Sequence, residues 1–147
     1  MIVSATAEHF PRLHDIQLEC IRGLKDTYSA EERRRWAEYI QNETPTKYTK
    51  YANLGYSDDK GIIQAFISWT VEGDDASIEC LYVRESYRNE GVGKLLLEEV
   101  ESKLAGKLVH IRSTLNAQSF YEKAGYAFKV AAVSRAGFAI SCLEKQL

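Results

Sequence analysis

The sequence predicts one domain of mixed α+β class built on a mostly antiparallel sheet, and three observations carry that reading. Its 147 residues are 45% hydrophobic, enough for one core and too few for a second domain beside it. Between Tyr48 and Val83, three short aromatic and β-branched runs alternate with turn clusters, the pattern of an antiparallel meander. After that meander the spacing turns helical and then strand-like again. A strand–helix–strand unit of this kind requires one locally parallel pair in the sheet.

Taken in order, Ile2 to Ala5 is a short apolar edge strand, and Thr6 is placed to cap a helix from Ala7 to Leu24. The apolar positions Phe10, Leu13, Ile16, Ile21 and Leu24 recur at helical spacing. Ser29-Ala30-Glu31-Glu32 matches a capping box and opens a second helix through Trp36 and Ile40. Arg33, Arg34 and Arg35 within it read as a solvated face. The break at Asn42 to Pro45 leads to strands at Tyr48–Tyr56, Ile62–Val71 and Ser77–Val83. Gly91 to Leu104 is an amphipathic helix stopped by Gly106. Lys107–Ser113 is a strand and Asn116–Ala124 a short helix closed by Gly125. Tyr126–Val133 and Phe138–Leu143 form a last hairpin, which is also a candidate seam for a homodimer.

Composition narrows the function classes. Nineteen basic against 21 acidic residues give a net charge of −2, which disfavours a nucleic-acid partner. No run approaches the roughly 18 apolar residues of a membrane span, and the start MIVSATAEHF lacks the pattern of a signal peptide. A cytoplasmic setting without membrane partners is the expectation. Cys20, Cys80 and Cys142 form no CxxC pair and are not spaced with His9, His14 or His110 as a zinc site requires, so no metal is expected. They read as reduced thiols, with Cys80 the one to watch as a nucleophile because it adjoins Glu79.

The segment Arg88-Asn89-Glu90-Gly91-Val92-Gly93-Lys94 joins the third meander strand to the amphipathic helix. Glycines there allow positive φ and close backbone approach, and the free amides of the helix start make an anion cradle. The spelling is neither a P-loop nor a dinucleotide fingerprint. Arg88 stands where a P-loop has its first Gly, and Leu96 where the third dinucleotide Gly belongs.

With Leu81-Tyr82-Val83 before it and Leu95-Leu96 after it, this segment resembles the acetyl-CoA-binding motif of the GCN5-related N-acetyltransferase (GNAT) superfamily. Asn116-Ala117-Gln118-Ser119-Phe120-Tyr121-Glu122-Lys123-Ala124-Gly125-Tyr126 resembles that family's second signature, and the two occur in the family order. The resemblance implies a GNAT fold with splayed central strands flanked by helices, and acetyl-CoA as co-substrate. It implies that the backbone of Leu81, Tyr82 and Val83 pairs with the pantetheine arm. The amides from Arg88 through Asn89, Glu90, Gly91, Val92 and Gly93 to Lys94 would hold the pyrophosphate. Asn116 and Ser119 would contact the cofactor, although Asn is also a preferred helix cap. Tyr121 would stand near the thioester sulfur.

Acetyl transfer to an amine needs a neutral amine, a held carbonyl and a proton for the departing thiolate. Tyr121 is the candidate acid. Glu79 is the candidate base, since strict alternation puts it on one face with Leu81 and Val83, where desolvation would tune it. The opposite face carries Tyr82, a candidate substrate contact, and His110 in the neighbouring strand reads as structural. The aromatic residues Tyr28, Trp36 and Trp69 are candidates for the acceptor site, by stacking or cation–π contact. The expected function is acetyl transfer from acetyl-CoA to a primary amine of a small molecule, in a ternary complex. A protein N-terminal or lysine acetyltransferase and a non-catalytic acetyl-CoA sensor are the alternatives.

Overall fold

The computed structural model describes all residues from 1 to 147. Seven strands form one sheet: β1 (Ile2–Ser4), β2 (Ala52–Ser57), β3 (Ile63–Glu72), β4 (Asp75–Val83), β5 (Leu108–Thr114), β6 (Ala127–Val133) and β7 (Ala139–Gln146). Their spatial order is β1-β2-β3-β4-β5-β7-β6. Only β4 and β5 are parallel, joined by α3 (Val92–Glu101) as the pattern switch requires. α1 (Phe10–Arg22) and α2 (Ala30–Glu43) cover one face, and α3 with the short α4 (Gln118–Lys123) covers the other.

Each helix lies down because its apolar stripe has a sheet face to bury. Leu96, Leu97 and Val100 of α3 pack on Ala65, Ile67, Ile78, Val109 and Ile111. On the other face Leu13, Ile16 and Cys20 of α1 pack on Phe66 and Cys80. No helix is long and apolar enough to cross a membrane.

Several element boundaries differ from expectation. The first helix opens with a 3₁₀ turn at Ala7–His9 and ends at Arg22, before Gly23. The run from Tyr48 is not yet strand: Pro45–Lys50 is 3₁₀, and β2 begins at Ala52. Tyr48 is fully buried there, donating its hydroxyl to Gln17 Oε1 at 2.6 Å and packing edge-on to Phe66. That tertiary anchor outweighs the β propensity of the tyrosines. Finally, Leu115–Ala117 is a 3₁₀ turn, so the last helix starts at Gln118.

The feature that positions the site is an irregularity in β4. Ile78 pairs with Trp69 and Cys80 with Ser68, leaving Glu79 as an extra residue, a β-bulge. Strict alternation would put Ile78 and Cys80 on one face. Instead Ile78 packs under α3 and Cys80 under α1. At the same point β4 parts from β5: their pairing runs from Asp75↔Leu108 to Ile78↔Ile111 and stops, although both strands continue. Glu79 to Val83 therefore have no strand neighbour on that side.

Candidate active site

One cleft, of about 370 Å³, lies along the α3 side of the splay. Leu81, Tyr82, Val83, Arg88, Asn89, Gly93, Asn116 and Tyr121 line it, together with Cys20, Leu24, Thr114, Ala117 and Phe120. Its floor is the unpaired edge of β4 and its rim is the start of α3. The loop into α3 bends through two residues of positive φ, Asn89 at 64° and Gly91 at 79°. The amides of Asn89 to Lys94 donate to no protein group, so the helix start presents a set of free N–H groups. A Cβ built on Gly93 would meet Phe120 and Val83 only at ordinary contact distances of 3.5 and 3.6 Å. Packing within the protein does not require that glycine. The free amides and the open strand edge fit a pantetheine diphosphate.

Within this segment the expectations divide. The Arg88 amide is already taken by the Glu85 carbonyl at 3.1 Å, so the cradle begins at Asn89, not Arg88. The Arg88 side chain folds back, donating Nε to the Val83 carbonyl at 3.0 Å. Glu90, Gly91, Val92 and Lys94 present only backbone: Val92 is buried in the core, and Glu90 and Lys94 point into solvent. Ser119 is exposed and outside the cleft, because the late start of α4 turns it outward. Asn116 sits in the 3₁₀ turn and caps nothing, leaving its amide free at the cleft wall.

Tyr121 is 6% exposed and packs edge-on to Phe120 and Tyr126. Burial, and to a lesser extent Cys80, raises its phenol above the ordinary tyrosine value, so it holds its proton as a donor. Tyr28, Tyr48 and Tyr126 each give their hydroxyl to a protein acceptor, whereas no protein group takes that of Tyr121. Since every buried polar side-chain atom has a partner, the unpartnered Tyr121 oxygen is solvent-accessible, on a residue that lines the cleft and the gap beside it.

A second cleft, of about 340 Å³, lies on the α1–α2 side. Its walls include Gln17, Trp36, Tyr39, Glu43, Tyr51, Glu79, Tyr82, Arg112, Arg135 and Phe138. Between the two clefts is the gap left by the splay, about 60 Å³, lined by Glu79, Cys80, Tyr82, Arg112, Thr114 and Tyr121 among others. Tyr82 and Thr114 line all three spaces.

The bulge takes Glu79 out of the alternation that would have put it on one face with Leu81 and Val83. Glu79 is exposed, not desolvated, and accepts a hydrogen bond from Thr70 Oγ1 at 3.1 Å. It nevertheless borders both the gap and the second cleft. Burial pushes the Cys80 thiol up to about 12, which keeps it protonated and unsuited to be a nucleophile at neutral pH. Burial likewise raises Tyr82 well above its usual value; its hydroxyl lies 3.5 Å from the Gln17 amide.

The aromatic candidates separate. Trp36 lines the second cleft, stacked on Phe138 at 4.1 Å. Tyr28 does not: its hydroxyl donates to the Ala139 carbonyl at 2.7 Å and accepts the Leu115 amide at 3.0 Å, so it is a brace behind the wall. Trp69 is buried under α3 on the opposite face of the sheet. His110 is held between Asp75 and Glu144, away from both clefts, which fits a structural role. Arg112 and Arg135 escaped the sequence reading, as did Glu43, because no spacing links residues contributed by β5, the β6–β7 turn and α2.

The acetyltransferase (GNAT) domain model matches residues 24–147. The chain belongs to the GNAT acetyltransferase family. The matched region is accordingly an acetyltransferase domain. The uncharacterised protein YdhI of Bacillus subtilis (strain 168) is 32% identical over 77 residues, 48% of this chain; the match spans about half, 47%, of that curated relative. Among solved structures, a GCN5-related N-acetyltransferase from Rhodopseudomonas palustris matches with a TM-score of 0.87 at 23% identity, covering 100% of this chain and 95% of that one. The PaiA N-acetyltransferase of Thermoplasma acidophilum, solved with coenzyme A, gives 0.79 at 21%, covering 100% and 98%. The ribosomal-protein-S18-alanine N-acetyltransferase of Escherichia coli gives 0.70 at 18%, covering 99% and 92%. At these identities the shared property is the GNAT fold.

Proposed function

We propose that this protein transfers acetyl from acetyl-CoA to the primary amine of a small molecule by direct attack in a ternary complex. The observation that carries the reading is the meeting of two clefts through the gap between β4 and β5, with Tyr121 on one side and Glu79 on the other. The amides of Asn89 to Lys94 hold the diphosphate, and the strand-unpaired edge from Leu81 to Val83, whose last carbonyl is already taken by Arg88 Nε, carries the arm inward. The thioester then comes to the gap, where the amine nitrogen bonds to its carbonyl carbon and the C–S bond breaks. Glu79, directly or through water, takes the ammonium proton that frees the nitrogen lone pair. Tyr121 gives its proton to the departing sulfur and regains one from the acylated nitrogen, leaving a neutral amide and the free thiol of CoA. The protonated state of Cys80 favours this direct route over an acetyl-thiol intermediate.

A second cleft of about 340 Å³ is the size of a metabolite site, which favours a small acceptor over a protein lysine. An exposed, bulged Glu79 across the gap from a proton-holding Tyr121 favours an enzyme over a sensor, which needs neither. Thiol release from acetyl-CoA with a panel of small amines, with peptides as competitors, tests the reading. Turnover of small amines is expected. Turnover of peptides alone, or acetyl-CoA binding without any thiol release, would overturn it.

A further inference from the structure

The charges on the wall of the second cleft are unevenly partnered. Glu43 is neutralised by Lys47, whose Nζ lies 3.2 Å away. Glu79 has only the Thr70 hydroxyl. Arg112 makes one long contact, Nη2 to the Val133 carbonyl at 3.5 Å, and Arg135 has no hydrogen bond or ion pair at all. Elsewhere two guanidiniums are closely ion-paired, Arg34 with Glu31 and Glu38 at 2.6 Å and Arg84 with Glu19 at 2.8 Å. Besides the paired Glu43, the cleft thus holds one carboxylate and two guanidiniums, all solvent-exposed and without an ion-pair partner in the protein.

Their placement is ordered. Glu79 stands on β4 and Arg112 on β5, so they flank the gap from opposite sides. Arg135 lies farther out in the β6–β7 turn, next to the carbonyl that Arg112 reaches. Behind them the stacked rings of Trp36 and Phe138 supply an apolar wall. A planar guanidinium pair matches a carboxylate in geometry as well as in charge.

We propose that the acceptor is an α-amino acid with an apolar side chain, its ammonium beside Glu79, its carboxylate held by Arg112 and Arg135, and its side chain against Trp36 and Phe138. This rests on the acetyltransferase reading above and adds the acceptor class. A bare amine would leave both guanidiniums without a partner. The amino acid satisfies all three charges at once.

The test compares phenylalanine, leucine and methionine with phenethylamine, isopentylamine and 3-(methylthio)propylamine, the same side chains without the carboxylate. With acetyl-CoA, kcat/KM is expected to favour the amino acid by about tenfold or more in at least one pair, the scale of one good charge-assisted contact. In the Arg112→Gln/Arg135→Gln double variant that ratio falls to about one, with the loss in KM for the amino acid; Arg135→Lys keeps part of the preference. Calorimetric binding of the preferred amino acid in the presence of CoA should weaken in parallel. Bare amines turned over as well as their amino acids, or a preference that survives the double substitution, would overturn the inference. So would a preparation that binds acetyl-CoA but neither binds nor acetylates any of the three amino acids. Failure to bind acetyl-CoA itself would instead bring down the reading beneath it.

Discussion

The two clefts are built on different principles. The acetyl-CoA side is made mostly of backbone: free amides at the start of α3 and an unpaired strand edge. The acceptor side is made of side chains contributed by α1, α2, β4, β5 and the β6–β7 turn. Backbone recognises what is common to every CoA thioester, and its geometry depends on a few conformational requirements such as the positive φ at Gly91. Side chains can be exchanged singly without disturbing that frame. The division lets one scaffold keep its donor while its acceptor changes.

Perturbations should therefore separate the two sides. The largest effect is expected from Tyr121→Phe, which removes the proton donor but keeps the ring packing on Phe120 and Tyr126. Steady-state kinetics should show kcat lower by about 10³-fold, within the usual span for general acids, with calorimetric acetyl-CoA affinity unchanged. Glu79→Gln should cost less, about 10²-fold in kcat/KM, because an exposed base can be replaced in part by water. Its unfolding free energy should move by under about 0.5 kcal/mol, as for a surface substitution. Gly91→Ala acts on the other side. The left-handed conformation costs an alanine roughly 1–2 kcal/mol, read as an acetyl-CoA affinity about tenfold weaker, with acceptor preference intact. Cys80 should show nothing at all in the native protein. With its thiol pushed up to about 12, alkylation at pH 8 should modify it only after unfolding, as peptide mass spectrometry would report.

The same contrast explains what was legible in the sequence. Gly91, Gly93 and the apolar stripe of α3 are local signals, and they announced both the loop and its helix. The meander and the parallel crossover followed from turn clusters and a change of period. The acceptor wall could not be read, since Arg112 and Arg135 are ordinary charged residues until the fold brings them into one cleft with Glu79. Tyr28 and Trp69 looked like Trp36 as residues, and only their partners distinguish a brace and a core ring from a cleft wall. Alternation failed at Glu79 because one inserted residue in β4 reverses the parity of everything on one side of it, and period-two patterns carry no mark of such an insertion.

That insertion has an evolutionary corollary. A bulged residue belongs to neither ladder, so its side chain is released from the packing constraints that fix Ile78 and Cys80 on opposite faces. Position 79 can accept another acid, an amide or a histidine while the sheet stays as it is. Selection can thus retune proton removal there in single steps, at a place where the fold has little to lose.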